Sequence, residues 1–406
     1  MSDRVILHCD MNGFFASCEQ LARPELRDVP MAVAGDPENR HGIILAKNEL
    51  AKKAGVVTAE TIQSARRKCP GLVCVPSHME KYQYYSGLIN EIYRRYTDMV
   101  EPFSIDESWL DVTGSLRLFG SGREIADDIR ETVKRELGLT LSAGVSFNKI
   151  FAKMGSEYRK PDATTVISRE NFRDILWPLP AGDFFFVGKA TEAKLASVGI
   201  HTIGDIARAE EQTLASLLGK TGSDLYRAAN GLEDSPVTYE YEKRQIKSVG
   251  HGITFRRDLR TDDDIRTAVI GISDRLSARL RRNELKAGGV KVEIKDPDFA
   301  VISRQKQIDP PSDLPDEIAR AAFDIISSCW RKGAPIRLLT ITGINLCGAS
   351  EPRQISMFDE GTESRERSEN MAKTMDEIRE KFGRDSISFG RVINNDLGIG
   401  GKKKDD

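Results

Sequence analysis

The chain has 406 residues, 39% hydrophobic and 30% charged, with 60 Lys and Arg against 62 Asp and Glu and a formal net charge of −2. That length suits two to four domains with ample cores, and the composition is that of an ordinary soluble protein. No apolar run is long enough for a bilayer and no signal peptide opens the chain; six cysteines without a C-x-x-C pair suggest no zinc site, and a reduced cytoplasm is expected.

In chain order, residues 4–12 read as a strand in which Val5-Ile6-Leu7 runs into Asp10, and 14–21 as a helix. Pro24, Pro30 and Gly35 punctuate the next stretch, with short strands at 31–34 and 43–45 and a helix over 48–54. Tyr82, Tyr85, Leu88, Ile92 and Tyr96 recur at helical spacing within 80–97. A strand at 108–112, a helix at 121–137 and a strand at 141–146 complete a β-α-β pattern, which predicts a ferredoxin-like, mixed α/β layer.

From Pro178 the pattern turns to paired helices. Phe186-Val187-Gly188-Lys189 leads into a helix over 192–198 and reads as helix, tight turn, helix. Leu218-Gly219-Lys220-Thr221-Gly222 leads into a second, over 223–229. Glycine turns that aim helix N-terminal N–H groups outward suit phosphate, so Gly188, Lys189 and Gly219 are candidate DNA contacts. Gly219-Lys220-Thr221 is not the end of a Walker A loop, because Leu214 stands where the earlier glycine belongs and no strand precedes it. Residues 236–245 read as a polar linker. Strands around 249–255, 290–294, 301–308 and 338–346 then alternate with helices near 263–282 and 315–331. From 244 to 345 there are 19 Lys and Arg against 14 Asp and Glu, an excess of 5. With Lys247, Arg256, Arg257 and Arg304 on predicted strands, this segment is suited to phosphate although the total charge is unremarkable.

Two acidic stretches carry the chemistry. One is Cys9-Asp10-Met11-Asn12-Gly13-Phe14-Phe15-Ala16-Ser17; the other is Ser104-Ile105-Asp106-Glu107-Ser108-Trp109-Leu110-Asp111. Each sets a carboxylate beside an apolar run, where an unpaired charge costs several kcal/mol to bury. Asp10, Asp106 and Glu107 supply the hard oxygens that Mg²⁺ prefers, as in a two-metal phosphoryl-transfer site. Neighbours in a regular strand point to opposite faces, so Asp106 and Glu107 share a cation only at a bent strand end. A solvated hairpin turn is the plain alternative for that pair.

These two stretches resemble the catalytic motifs of Y-family translesion DNA polymerases, of the bacterial polymerase IV and V type, and the resemblance spans about residues 4–358. It implies an α/β (α+β) multidomain, right-handed polymerase. The ferredoxin-like palm would be 1–12 and 80–167, small fingers 13–79, and a helix-hairpin-helix thumb 168–235. An α/β little finger at 246–346 and a tail at 347–406 would follow. The implied activity is template-directed addition of deoxynucleotides to a primer 3′-end opposite damaged templates, without proofreading. Two Mg²⁺ ions would be held by Asp10, the Met11 carbonyl, Asp106 and Glu107, with Glu107 nearest the attacking hydroxyl. Phe15 matches the steric gate against ribonucleotides. Phe14, Phe15, Lys52 and Lys160 fall at nucleotide-binding positions, and Lys149 is a further candidate.

Three residues depart from the polymerase IV pattern. Lys52 stands where an arginine is usual, Glu49 where a tyrosine is common and Asn12 where Asp is usual; Asp-x-Asn resembles the polymerase V type and Phe15 the polymerase IV type, so the branch stays open. Gln354, Met357 and Phe358 resemble a sliding-clamp peptide. Met371, Met375, Ile378 and Phe382 predict a helix over 362–382 that either meets a partner or folds back. The resemblance implies primer–template DNA, deoxynucleoside triphosphates, the sliding clamp and accessory mutasome subunits as partners, no membrane, and a monomer. Another two-metal palm enzyme, such as a nucleotidyl transferase or cyclase, and an inactive DNA-binding scaffold are the alternatives.

Overall fold

The structure is a computed structural model that describes residues 3–35, 42–239, 245–350, 362–393 and 395–400. It divides into two compact units, residues 1–35 with 43–243, and residues 36–42 with 244–406.

The first unit runs β1 (Ile6–Met11), α1 (Phe14–Ala22), β2 (Met31–Ala34), β3 (Ile44–Lys47), α2 (Glu49–Lys53), α3 (Ile62–Lys68) and β4 (Val73–Pro76). It continues through α4 (Met79–Arg94), β5 (Val100–Pro102), β6 (Glu107–Asp111), α5 (Leu116–Phe119), α6 (Gly122–Leu137), β7 (Leu141–Ser146), α7 (Lys149–Tyr158) and β8 (Thr164–Ile167). Five further helices complete it: α8 (Phe172–Leu176), α9 (Lys189–Ser197), α10 (Ile203–Arg208), α11 (Glu211–Leu218) and α12 (Lys220–Ala229).

The main sheet has the order β5-β6-β1-β7-β8, antiparallel except for the β7–β8 pair. Its middle strand, β1, is buried along its whole length, as a strand covered on both faces must be. A separate sheet, β3-β2-β4, has its own small core of Ala32, Ile44, Ala51, Val56 and Ile62. The helices from α8 onward gather around Phe172, Phe184, Leu195, Ile203 and Leu214.

One close approach fixes where the site forms. A Cβ on Gly144 of β7 would lie 1.8 Å from the Ala152 carbonyl oxygen of α7, so only glycine lets that helix sit on the sheet. The Asn148 side chain caps α7 by accepting from the Phe151 N–H. Anchored in this way, α7 presents Lys153, Glu157 and, just past its end, Lys160 to the end of β1.

The first helical hairpin differs from its expectation. Only a single 3-10 turn, Ala181–Asp183, precedes Gly188, so one arm is a turn rather than a helix. In the second, α11 meets α12 at Gly219, whose positive φ of 66° favours glycine. The two helices pack so closely that a Cβ on Gly222 would reach the Leu214 carbonyl at 2.0 Å. The predicted linker is also partly structured. Val237 is buried with Ile6, Trp109 and Ala152, and Thr238 N–H donates to Glu101 at 2.9 Å.

The second unit contains β9 (Val249–Leu259), α13 (Asp262–Arg282), β10 (Leu285–Lys295), β11 (Val301–Ser312), α14 (Pro315–Cys329), β12 (Ile336–Gly348) and α15 (Thr362–Phe382). Its antiparallel sheet has the order β11-β10-β12-β9, and α13 and α14 pack against it. All four strands extend past their predicted ends. Hydrophobic alternation reveals only the buried centre of a strand, whereas ladder pairing continues through the polar ends.

The helix predicted at 362–382 is present and folds back onto this unit. Ala372 and Met375 are buried, and Arg365, Asp376 and Arg379 of α15 pair with Glu317, Arg281 and Asp274 at 3.3, 2.6 and 2.7 Å. Beyond it Val392, Leu397 and Ile399 join the core, and Arg256 N–H donates to the Leu397 carbonyl at 3.1 Å. The described part of the region expected as a tail is therefore folded structure. Gln354, Met357 and Phe358 lie outside the described residues.

Candidate active site: an acidic pocket at the ends of two strands

Asp10 and Glu107 are direct cross-strand partners of β1 and β6, and the Met11 N–H donates to the Asp106 carbonyl at 3.0 Å. All three predicted carboxylates thus stand on adjoining backbone, although about a hundred residues separate them in sequence. The N–H groups of Phe103 and Ser104 both donate to the Glu107 carbonyl. Asp106 lies in this bend, just before β6 begins, and so is outside the strict strand alternation. After Met11 the chain turns through Gly13 at φ 53°. Asn12 holds that turn from its backbone, N–H to the Thr140 carbonyl, and its side-chain amide meets the hydroxyls of Thr140 and Ser142.

Asp10 is 4% exposed, and its Oδ1 lies 2.7 Å from Lys160 Nζ, which also bonds Glu157 at 2.8 Å. Burial pushes the Asp10 carboxyl up to about 7, with Lys160 only partly offsetting it. Glu107 shows the opposite balance. Burial works to raise it, yet His8 and Lys153, the latter 2.5 Å away, hold it down at about 2. His8 is fully buried, which lowers it to about 4, and its Nδ1 lies 2.8 Å from Ser156 Oγ. Asp106 is half-buried, and its carboxylate accepts from the Ser104 hydroxyl at 2.7 Å.

Three carboxylates and a peptide carbonyl form the hard donor set suited to Mg²⁺, and Asp10 is a carboxylate whose burial calls for a cation. As the side chains stand, Asp10 faces Lys160 and Glu107 faces Lys153. Among the described residues no cluster of three His, Cys, Asp or Glu is arranged to hold a metal. The donors fit the ion in chemistry and backbone placement, and two of the carboxylates are each paired with a lysine.

Phe15, partly buried, stacks on Tyr82 of α4 with ring centroids 4.3 Å apart and planes 11° apart. Phe14 is only 3% exposed and belongs to the core, so its ring is not available to a nucleotide; facing inward on α1 explains this. Lys52 is exposed in the last turn of α2, 3.5 Å from Glu49. Lys149 is engaged, its Nζ 2.7 Å from the buried Glu101.

Gly188 N-caps α9, Lys189 is its exposed first residue, and Gly219 N-caps α12. In the second unit Arg256 and Arg304 are exposed on β9 and β11, whereas Lys247 precedes β9 and is not on a strand. Arg257 departs from its expectation, because its guanidinium holds Asp264 at 2.8 Å and Asp396 at 2.6 Å as a structural fork. Sequence reading overlooked His8, Lys153 and Glu157. Spacings of four, four and three from Lys149 to Lys160 along α7 were the available signal.

Comparison with known proteins shows the family. The impB/mucB/samB family matches residues 9–157, its C-terminal domain 246–357, and the DNA polymerase-iota thumb domain 186–233. The chain belongs to this family, the Y family of DNA polymerases. It is similar to DNA polymerase IV of Acetivibrio thermocellus, 43% identical over 96% of this chain and 98% of that one. It is also similar to DNA polymerase IV 1 of Bacillus subtilis, 35% identical over 96% and 93%. Among solved structures it shares its fold with the Y-family DNA polymerase chimera Dbh-Dpo4(243-245)-Dbh, with TM-score 0.74 and 22% identity over 84% of this chain and 98% of that one.

Proposed function

We propose that the acidic pocket is a two-metal nucleotidyl-transfer site, which deepens an activity that family membership already defines. The chain is a DNA-directed DNA polymerase of the translesion class. The single observation that carries the reading is the cross-strand pairing of Asp10 with Glu107, next to which the Asp106 carbonyl accepts from the Met11 N–H.

Asp10, Asp106, Glu107 and the Met11 carbonyl would hold the divalent ions. Those ions, when bound, supply Lewis-acid activation of the primer 3′-hydroxyl and neutralisation of the leaving pyrophosphate. Lys160, freed from Asp10 once another cation takes its place, would turn to the triphosphate, while Glu157 keeps it near. Glu107 stays ionised through Lys153 and His8, so it enters the reaction as a ligand anion rather than an acid. Phe15 would lie under the sugar and exclude a 2′-hydroxyl by contact. Lys189, Lys247, Arg256 and Arg304, with the N-terminal turns at Gly188 and Gly219, would hold the DNA backbone. The 354–358 peptide would tether the enzyme to the sliding clamp and raise effective concentration at the primer end.

On this reading the palm is 1–12 and 80–167, the fingers 13–79, the thumb 168–235 and the little finger 246–346. The test is Mg²⁺-dependent primer extension past a defined lesion, with and without clamp. Asp106→Ala is expected to lose extension by roughly a thousandfold while binding primer–template as tightly as the parent. Retained extension would remove the site.

A further inference from the structure

Glu19 is a buried carboxylate that the proposed chemistry does not use. It lies on α1 one turn after Phe15, 1% exposed, and three groups of another helix converge on it. The Tyr82 hydroxyl donates to Glu19 Oε1 at 2.7 Å, His78 Nδ1 lies 2.9 Å from the same oxygen, and Lys81 Nζ donates to Oε2 at 2.9 Å. Burial works to raise this carboxyl; the bonds from Lys81, Tyr82 and His78 outweigh it and hold it ionised. His78 is the N-cap of α4 and Lys81 and Tyr82 are in its first turn, so the anion also lies at the positive end of that helix. Tyr82 is fully buried, and its ring forms the flat support on which Phe15 stacks.

We propose that Glu19, through Tyr82, is a positioning residue for sugar discrimination; the inference rests on Phe15 being the gate. A gate rejects a ribonucleotide only if its ring cannot recoil when a 2′-hydroxyl pushes on it. One face of the Phe15 ring is backed by Tyr82, and the far end of Tyr82 is held by an ion-paired carboxylate. Recoil of Phe15 must therefore tilt Tyr82 and strain a charge-assisted hydrogen bond inside the core, where breaking it is costly. The contact chain joins two helices through side chains alone, so the resistance resides in Glu19 and Tyr82 rather than in the backbone of either helix.

The experiment measures kcat/KM for a deoxynucleotide and for the matching ribonucleotide in Phe15→Ala, Tyr82→Phe, Glu19→Ala and Glu19→Gln, with a melting curve for each. Tyr82→Phe keeps the stacked ring and removes only the hydroxyl, so it remains informative if Glu19→Ala folds poorly. Tyr82→Phe and Glu19→Ala are expected to lower the deoxy-to-ribo ratio roughly three- to tenfold, mainly through faster ribonucleotide insertion. Glu19→Gln, which keeps an acceptor for Tyr82, restores most of the ratio. A collapsed ratio in Phe15→Ala with an unchanged ratio in Tyr82→Phe and Glu19→Ala overturns this inference and leaves the gate intact. Equal losses with both nucleotides also overturn it, because that is the mark of a purely structural role. An unchanged ratio in Phe15→Ala removes the gate and this inference with it.

Discussion

Both units pair carboxylates with cations, but the acidic site of the first and the joints of the second draw on different ones. In the first, Asp10 and Glu107 face Lys160 and Lys153. In the second, Asp264, Asp274 and Asp376 face the forks of Arg257, Arg379 and Arg281. A lysine ammonium is a point charge on a flexible stem and can change partners; a guanidinium binds a carboxylate through two fixed donors and holds it in one geometry. The first arrangement suits carboxylates that must accept another cation, the second suits carboxylates that join elements. On the proposed function, the same residue type would serve exchange in one unit and fastening in the other.

Breaking the contrast at the pocket should give the largest effect. Asp10→Asn is expected to reduce primer extension by roughly a thousandfold or more, read by single-turnover incorporation. The same change should alter stability in the opposite sense. Folded Asp10 titrates at about 7, against about 3.9 in an unfolded chain. Between those values the folded state holds a proton that the unfolded state lacks, so stability without divalent ions falls as pH rises through that window. Melting curves in chelator from pH 4 to 8 should show that slope in the parent and lose it in Asp10→Asn. Lys160→Ala comes next, with KM for the incoming nucleotide raised roughly ten- to a hundredfold in steady-state kinetics. Unchanged KM would mean that this lysine never leaves Asp10.

The fastening side of the comparison gives smaller effects on chemistry and measurable ones on stability. Arg379→Ala strands the buried Asp274 and is expected to cost about 3 kcal/mol in urea unfolding, with incorporation at saturating DNA preserved. Arg257→Gln is the smallest change, since the guanidinium is half-exposed; about 1 kcal/mol or less is expected. Its salt dependence of DNA binding should match the parent, whereas Arg304→Gln should lower the slope by about one. A reduced slope in Arg257→Gln would show that the fork opens to phosphate.

Much of the pocket was legible in the chain. Val5-Ile6-Leu7 running into Asp10, and Asp106-Glu107 opening a second apolar strand, identified two strand ends that bear carboxylates, because an acid beside a buried run needs a reason. Element types followed from periodicity, and β2, β7 and α15 match their predicted bounds. The partners were harder to see. Lys153 reaches Glu107 because α7 lies on β7 at Gly144, and His8 because β1 pairs with β6; both are contacts between elements that no local pattern encodes. Arg257 looked like any strand arginine until Asp264 and Asp396, seven and 139 residues away, closed on it.

By itself, then, the amino-acid order determined which residues could act: acids at strand ends, an aromatic after the turn, glycine turns for phosphate, and a helix at 362–382 with an apolar stripe. Tertiary structure alone decided which charge faces which. It assigned lysines to the pocket and arginines to the joints, turned Phe14 inward and Phe15 onto Tyr82, and folded the last helix onto its own unit. The physical reason is range. Propensity and periodicity act over a few residues, while the desolvation that makes a buried charge seek its partner acts only once distant segments have closed around it.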